Sequence, residues 1–227
     1  MARRCVLLVA IAAAFSILVL CSARAYAQKE TGEVIKLFNG KDLSGLYPFV
    51  RGGKPGEDPE GVFTVKDGMI YIKGRPAGYL MTEKEYENYR VVIEYKWVVD
   101  EKGRGGGNSG LLVHCQPPDK VWPKSLECQM MYKNEGDFWV IGGVTINVEG
   151  VEPQGRRYRR HASGTKPLGE WNRMEVTCWG DTVTVVVNGV EVNKATNCSV
   201  TRGKICVQSE GAPLVVRKWE LYPLKAE

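Results

Sequence analysis

Two Asx-Gly pairs, each set between runs of β-branched residues, constrain this chain more than any other feature. Such a pair suits a two-residue turn in which both positions take positive φ, and that turn joins adjacent antiparallel strands. Asp67-Gly68 lies between residues 62–65 and 69–72, and Asn188-Gly189 lies between residues 183–187 and 190–192. Between the two predicted hairpins, Tyr89, Val91, Ile93, Tyr95 and Trp97 alternate with Arg90, Val92, Glu94 and Lys96. A period of two with one mostly polar face predicts a long antiparallel strand that buries its other face. Further short apolar runs at 111–115, 126–131, 174–179, 204–208 and 215–221 are separated by Gly, Pro and Asn, the pattern of an all-β sandwich or barrel. The one helical hint is Thr82 with Glu85 three residues on, which predicts a capped single turn over 82–86.

The first 27 residues read as a targeting signal rather than structure. Arg3 and Arg4 precede an apolar run over 6–20, and Ala25-Tyr26-Ala27 supplies the small-x-small pattern of a cleavage site. Residues 28–227 are then one domain of ordinary size, exported to the periplasm or beyond. The apolar run is short for a membrane span, which takes about 20 residues. A lipid anchor at Cys21 is a second possibility, disfavoured by the large Leu20 before it. The net charge of +5 also belongs largely to this segment. Removing Arg3, Arg4 and Arg24 from the 31 bases leaves 28 against 26 acids, a balance that argues against a nucleic-acid partner.

Cys115, Cys128, Cys178, Cys198 and Cys206 remain, an odd number that leaves at least one thiol unpaired. Cys198 and Cys206 flank a turn-like stretch and are one open pairing, while buried free thiols are the expected state for most. No CxxC, HExxH or Cys/His cluster is present, and two histidines do not make a His-rich zinc site. No cofactor is expected; a weak oxygen-ligand site for a divalent metal is left open. Residues 103–108 hold four glycines without the Lys-Ser/Thr of a phosphate loop and read as a mobile loop. Arg156-Arg157-Tyr158-Arg159-Arg160 reads as a solvated face.

The stretch over 108–147 is the most informative. Asn108-Ser109-Gly110-Leu111-Leu112-Val113-His114 is followed by Pro118-Asp119-Lys120-Val121-Trp122-Pro123-Lys124-Ser125-Leu126-Glu127-Cys128-Gln129, then by Asn134-Glu135-Gly136-Asp137-Phe138-Trp139. Together with Leu37-Phe38-Asn39-Gly40-Lys41-Asp42-Leu43, Glu170-Trp171-Asn172, Val187-Asn188-Gly189 and Gln208-Ser209-Glu210-Gly211, this series resembles the 3-keto-disaccharide hydrolase domain family. The resemblance implies a concanavalin A-like or laminin G-like jelly roll, a β-sandwich of two antiparallel sheets, in exported bacterial proteins that degrade glycosides. In such a fold the concave sheet carries the sugar groove.

Strand parity then selects residues. If Leu126, Cys128 and Met130 are buried, Glu127 and Gln129 face the groove. If Leu111, Val113 and Cys115 are buried, His114 faces the groove beside Glu127. Burial of Ile205 and Val207 turns Lys204, Cys206, Gln208 and Glu210 the same way. Trp122 and Trp139 offer indole faces for sugar rings, with packing the expected role of Trp139.

A retaining glycosidase of this fold uses two carboxylates about 5 Å apart, commonly two Glu around an Asp on one strand. The corresponding run here is Glu127-Cys128-Gln129-Met130-Met131, which lacks the second carboxylate. The chemistry implied by the resemblance needs no such pair. A ketone at C3 acidifies the C2 proton, a base removes it, the enolate expels the C1 substituent, and water adds to the enone. Glu127 is the expected base and His114 the acid or enolate stabiliser, in either order. Gln129, Asn108 and Gln208 are expected to orient hydroxyls over a Trp122 platform, with Glu210 a reserve carboxylate. A noncatalytic carbohydrate-binding module, a conventional glycoside hydrolase and a structural interaction domain are the alternatives.

Overall fold

The structure is a computed structural model that describes residues 32–225; the expected leader and Cys21 lie outside the described residues. In chain order the strands are β1 (Ile35–Lys36), β2 (Leu46–Val50), β3 (Phe63–Lys66), β4 (Met69–Ile72), β5 (Gly78–Thr82), β6 (Tyr89–Trp97), β7 (Gly110–Gln116) and β8 (Lys124–Gln129). They continue with β9 (Phe138–Ile141), β10 (Arg157–Tyr158), β11 (Asn172–Trp179), β12 (Thr182–Val187), β13 (Val190–Ala195), β14 (Lys204–Ser209) and β15 (Leu214–Pro223). They form two antiparallel sheets. One runs β13-β12-β11-β6-β15-β4-β3, with β1 also on β15, and the other runs β10-β9-β8-β7-β14-β5-β2. This is the expected all-β jelly-roll sandwich.

Both hairpin turns form as the residue pairs dictate. Asp67 and Gly68 take φ 52° and 72°, and Asn188 and Gly189 take 51° and 84°, the conformation that two-residue turns need. Strand β6 is central to the first sheet, between β11 and β15. Its Tyr89, Val91, Ile93, Tyr95 and Trp97 are buried in the core between the sheets. On its outer face Glu94 accepts from Arg173 at 3.2 Å and from Arg217 at 2.7 Å. Leu111, Val113, Leu126, Cys128, Met130, Ile205 and Val207 meet this core from the second sheet.

Three local expectations are corrected. No helical turn forms over 82–86: Thr82 closes β5, where its hydroxyl donates to the Lys84 carbonyl at 2.8 Å and accepts from the Ile205 amide at 3.0 Å. The competing hydrogen bonds of the sheet take the threonine that a helix cap would use. The second half of the glycine loop is packed, since a β-carbon at Gly106 would stand 2.8 Å from Leu168 Cδ2 and one at Gly107 2.5 Å from that of Ala212, while Gly103 stays open.

The third correction concerns parity in β7. Its pairing with β8 slips between Val113 and Gln116, so that two residues face one on the partner. This is a β-bulge, and His114 takes the left-handed φ of 56° within it. The bulge exchanges the faces of the next two side chains. His114 packs edge-on against the core ring of Tyr89, with centroids 5.7 Å apart, whereas Cys115 joins Leu112 and Cys206 on the far face of the sheet. The five described cysteines are free and buried, with Cys115 and Cys206 Sγ atoms 3.8 Å apart.

Candidate active site

The outward face of the second sheet divides into two halves. On one side Tyr79, Met81, Leu112, Cys115, Ile141 and Cys206 form an apolar cluster flanked by Tyr47 and Phe49. There Asp119 accepts from the hydroxyls of Tyr47, at 2.9 Å, and Tyr79, at 2.5 Å. Burial and this carboxylate hold both phenols protonated well above their usual range. The anchor pins the loop between β7 and β8, which carries Trp122 three residues later.

On the other side a cavity of about 330 Å³ is lined by Glu127 and Gln129 from β8, Trp139 and Ile141 from β9, and Asn108, Trp122, Arg156 and Glu210 from loops. Of the expected site residues, Glu127, Gln129, Asn108, Trp122 and Glu210 therefore meet here. Trp139 is the cross-strand partner of Glu127, so the pleat places both side chains on one face, and its indole lines the cavity. This differs from the packing role expected of it.

Glu127 is 5% exposed. Burial, then the nearby Glu210 charge, push its carboxyl up to about 8, with Arg156 opposing. Glu210 is also raised by burial, but hydrogen bonds from Trp122 and Asn108 and the Arg51 charge favour its ionised form. The two environments thus separate the proton affinities of two acids in one cavity.

Gln129 has less freedom than its position suggests. Its side-chain oxygen accepts from the Met130 and Met131 amides, both at 3.0 Å, so the free end is the donating NH2. Gln208 does not line the cavity. Its Oε1 and Glu127 Oε1 instead crowd the same point over Gly110, 2.7 Å and 2.5 Å from where a β-carbon would stand. Both polar atoms of the Gln208 amide are buried with no partner among the described residues.

His114 is not in this cavity. Its Nδ1 lies 3.0 Å from the Val200 carbonyl, Nε2 is buried without a partner among the described residues, and burial lowers its affinity for a proton to a pKa of about 4. A neutral imidazole in the core, on the opposite face from Glu127, neither donates to nor stabilises anything in the groove.

The arginine run divides by role instead of forming one solvated face. Arg157 Nε and the Arg160 amide donate to the buried Asp137 at 2.7 Å and 2.9 Å, while Arg156 lines the cavity. Arg156 was hidden in the sequence by its neighbours. What places it is the hydrogen bond from the Val140 amide to its carbonyl, which holds the segment along the edge of β9. Among the described residues there is no group of three or more His, Cys, Asp or Glu arranged to hold a metal, and no helix long and apolar enough to cross a membrane.

Residues 33–221 match the model of the 3-keto-alpha-glucoside-1,2-lyase-like domain. No curated protein sequence matches the chain. Among solved structures, a candidate glycosyl hydrolase from Parabacteroides distasonis is similar at 24% identity and a TM-score of 0.62, over 85% of this chain and 94% of that one. A β-glucanase from Bacillus licheniformis is similar at 12% identity and a TM-score of 0.55, over 86% and 100%. A carbohydrate-binding module from Bacillus subtilis is similar at 10% identity and a TM-score of 0.50, over 67% and 86%. These likenesses establish the fold.

Proposed function

The chain belongs to the 3-keto-alpha-glucoside-1,2-lyase-like domain family, and from that premise we propose that it is an exported enzyme that cleaves 3-keto-glucosides by elimination and hydration. The observation that carries this reading is the pair of acids, Glu127 and Glu210, lining one cavity with Arg156. At neutral pH the more deeply buried Glu127 holds a proton and acts as donor, in place of the base role that sequence alone suggests. Glu210, whose ionised form is supported by Trp122, Asn108 and Arg51, is the base.

The ketone at C3 acidifies the C2 hydrogen. Glu210 takes that proton, and the C2–H electron pair becomes an enolate on the C3 oxygen, where the Arg156 guanidinium offsets the new charge. The enolate collapses, the C1–O bond breaks, and the departing oxygen takes the proton of Glu127. Water then adds to C1 of the enone, its proton going to Glu127, while Glu210 returns a proton to C2. One water is consumed and both acids regain their starting states. Trp122 and Trp139 face the sugar ring, and the Gln129 NH2 donates to a hydroxyl or to the ketone.

The presence of two carboxyl groups, one from β8 and one from beyond β14, also favours a second reading. A conventional glycoside hydrolase needs two such groups, and the second is absent from the β8 run itself.

The test follows leaving-group release from a 3-keto-glucoside and from its unoxidised parent, with wild type, Glu127→Gln and Glu210→Gln. Cleavage of the ketosugar alone is expected. The Glu127→Gln variant should retain turnover when the leaving group is an activated phenol and lose it for an alkyl alcohol, whereas the Glu210→Gln variant should lose both. Cleavage of both parent and ketosugar would establish the conventional reaction. Saccharide binding without cleavage of either would make the protein a binding module.

A further inference from the structure

The groove continues past Trp122. A second cavity of about 450 Å³ shares Trp122 and Glu210 with the first and is otherwise walled by Arg51, the segment over 74–77 that includes Arg75, and Gly211. The Arg51 guanidinium lies over the Trp122 ring, 5.1 Å from its centre. Arg75 is held at the other side by its Nε, which donates to the Gly211 carbonyl at 3.4 Å. Both arginines are exposed, and among the described residues neither forms an ion pair with a carboxylate. Glu210 is the nearby acid: Trp122 and Asn108 hydrogen-bond it, and Arg51 acts on it through charge without forming an ion pair. Two guanidinium groups with unused donors therefore flank an indole wall.

The first cavity lies at the small end of the range for ligand sites, so a substituent on the reacting sugar extends out of it. The adjoining cavity, one side chain away across Trp122, receives it. We propose that this second cavity is the leaving-group subsite and that Arg51 and Arg75 select leaving groups that carry a carboxylate. This rests on the first cavity holding the ketosugar. A guanidinium presents paired N–H donors that match a carboxylate, which an ammonium does not. Beside Arg51 the Trp122 indole adds an apolar wall against which the ring of an aromatic acid or the CH face of a sugar acid packs.

The experiment measures kcat/KM on matched 3-keto-glucosides: para-carboxyphenyl against para-carboxamidophenyl, and glucuronate against glucose as the leaving group. Wild type is expected to favour the acid of at least one pair by about tenfold at low salt, with the preference shrinking as ionic strength rises. The aryl pair assigns an aromatic acid and the sugar pair a sugar acid. Arg75→Gln and Arg51→Gln should each lower the ratio within a pair toward one, and the ratio is insensitive to a general loss of rate. Calorimetric binding of 4-hydroxybenzoate against 4-hydroxybenzamide, and of glucuronate against glucose, reads the same site without turnover. Acid preference in binding with no cleavage would sink the reaction and keep the subsite. No acid preference in either measurement, or a preference unchanged in both variants, would overturn the subsite.

Discussion

Glu127 Oε1 lies 2.5 Å from the point where a β-carbon on residue 110 would stand, so the carboxyl group occupies space that Gly110 leaves open. Gly110 sits on β7 between the two strands that bring Glu127 and Gln208 toward it. Its lack of a side chain is a requirement of the site rather than of the backbone.

Gly110→Ala should therefore displace Glu127 and Gln208 together. Overpacking of this kind costs about 1–3 kcal/mol, and a shift of about 1 Å in an acid or base costs about 100-fold in rate. Thermal unfolding and kcat/KM on a 3-keto-glucoside check the two effects. A variant with unchanged rate would show that Glu127 does not act from this position.

The pH dependence follows from the separated acids. Glu127 keeps its proton to about pH 8, so kcat/KM should fall about tenfold per pH unit above that as the donor is lost. On the acid side it should fall as Glu210 takes a proton, above the ordinary carboxylate range. In Glu127→Gln the alkaline limb should vanish from whatever turnover remains. Stability carries the same signature. Between the ordinary carboxyl value of 4.5 and about 8 the native state holds a proton that the unfolded chain releases. Stability then declines as pH rises through that window, and the Glu127→Gln variant should decline less. Melting curves at pH 5 and pH 8.5 measure the difference.

His114 predicts the opposite trend. The unfolded chain binds a proton at this imidazole below about 6.5, whereas the buried ring does so only near 4, so stability is lost as pH falls across that interval. His114→Asn keeps a residue that tolerates the left-handed φ of 56° and a donor for the Val200 carbonyl. It should cost about 1–3 kcal/mol at neutral pH through lost packing on Tyr89, flatten the acid-side loss, and leave kcat/KM within about threefold. A large loss of activity without unfolding would restore a catalytic role to this histidine.

Asp119→Ala removes the acceptor of two tyrosine hydroxyls and frees the loop that carries Trp122. The Tyr79 hydroxyl, left without an acceptor, costs about 1–3 kcal/mol where water does not reach it, whereas that of Tyr47 keeps Met81 Sδ and Lys204 Nζ as partners. Because Asp119 touches no reacting group, KM should rise several-fold while kcat changes little. Equal losses in kcat and kcat/KM would contradict a purely positioning role.

The hairpins, the long β6 and the faces of β8 and β14 were legible because side-chain direction in a strand alternates, and Asp67-Gly68 and Asn188-Gly189 encode their own turns. The same rule failed at β7 for a reason that sequence does not carry: the bulge at His114 and Cys115 arises from pairing with β8, and one unpaired residue reverses every later inside-outside assignment on that strand. Strand parity had already turned Glu210 toward the groove of Glu127, whereas tertiary structure alone brought Arg156 there, because it comes from a segment held along the edge of β9 by pairing that the sequence does not carry. The amino-acid order determined which residues each strand presents. Only the register between strands decided which of them share a cavity, and with it which acid is the more deeply buried.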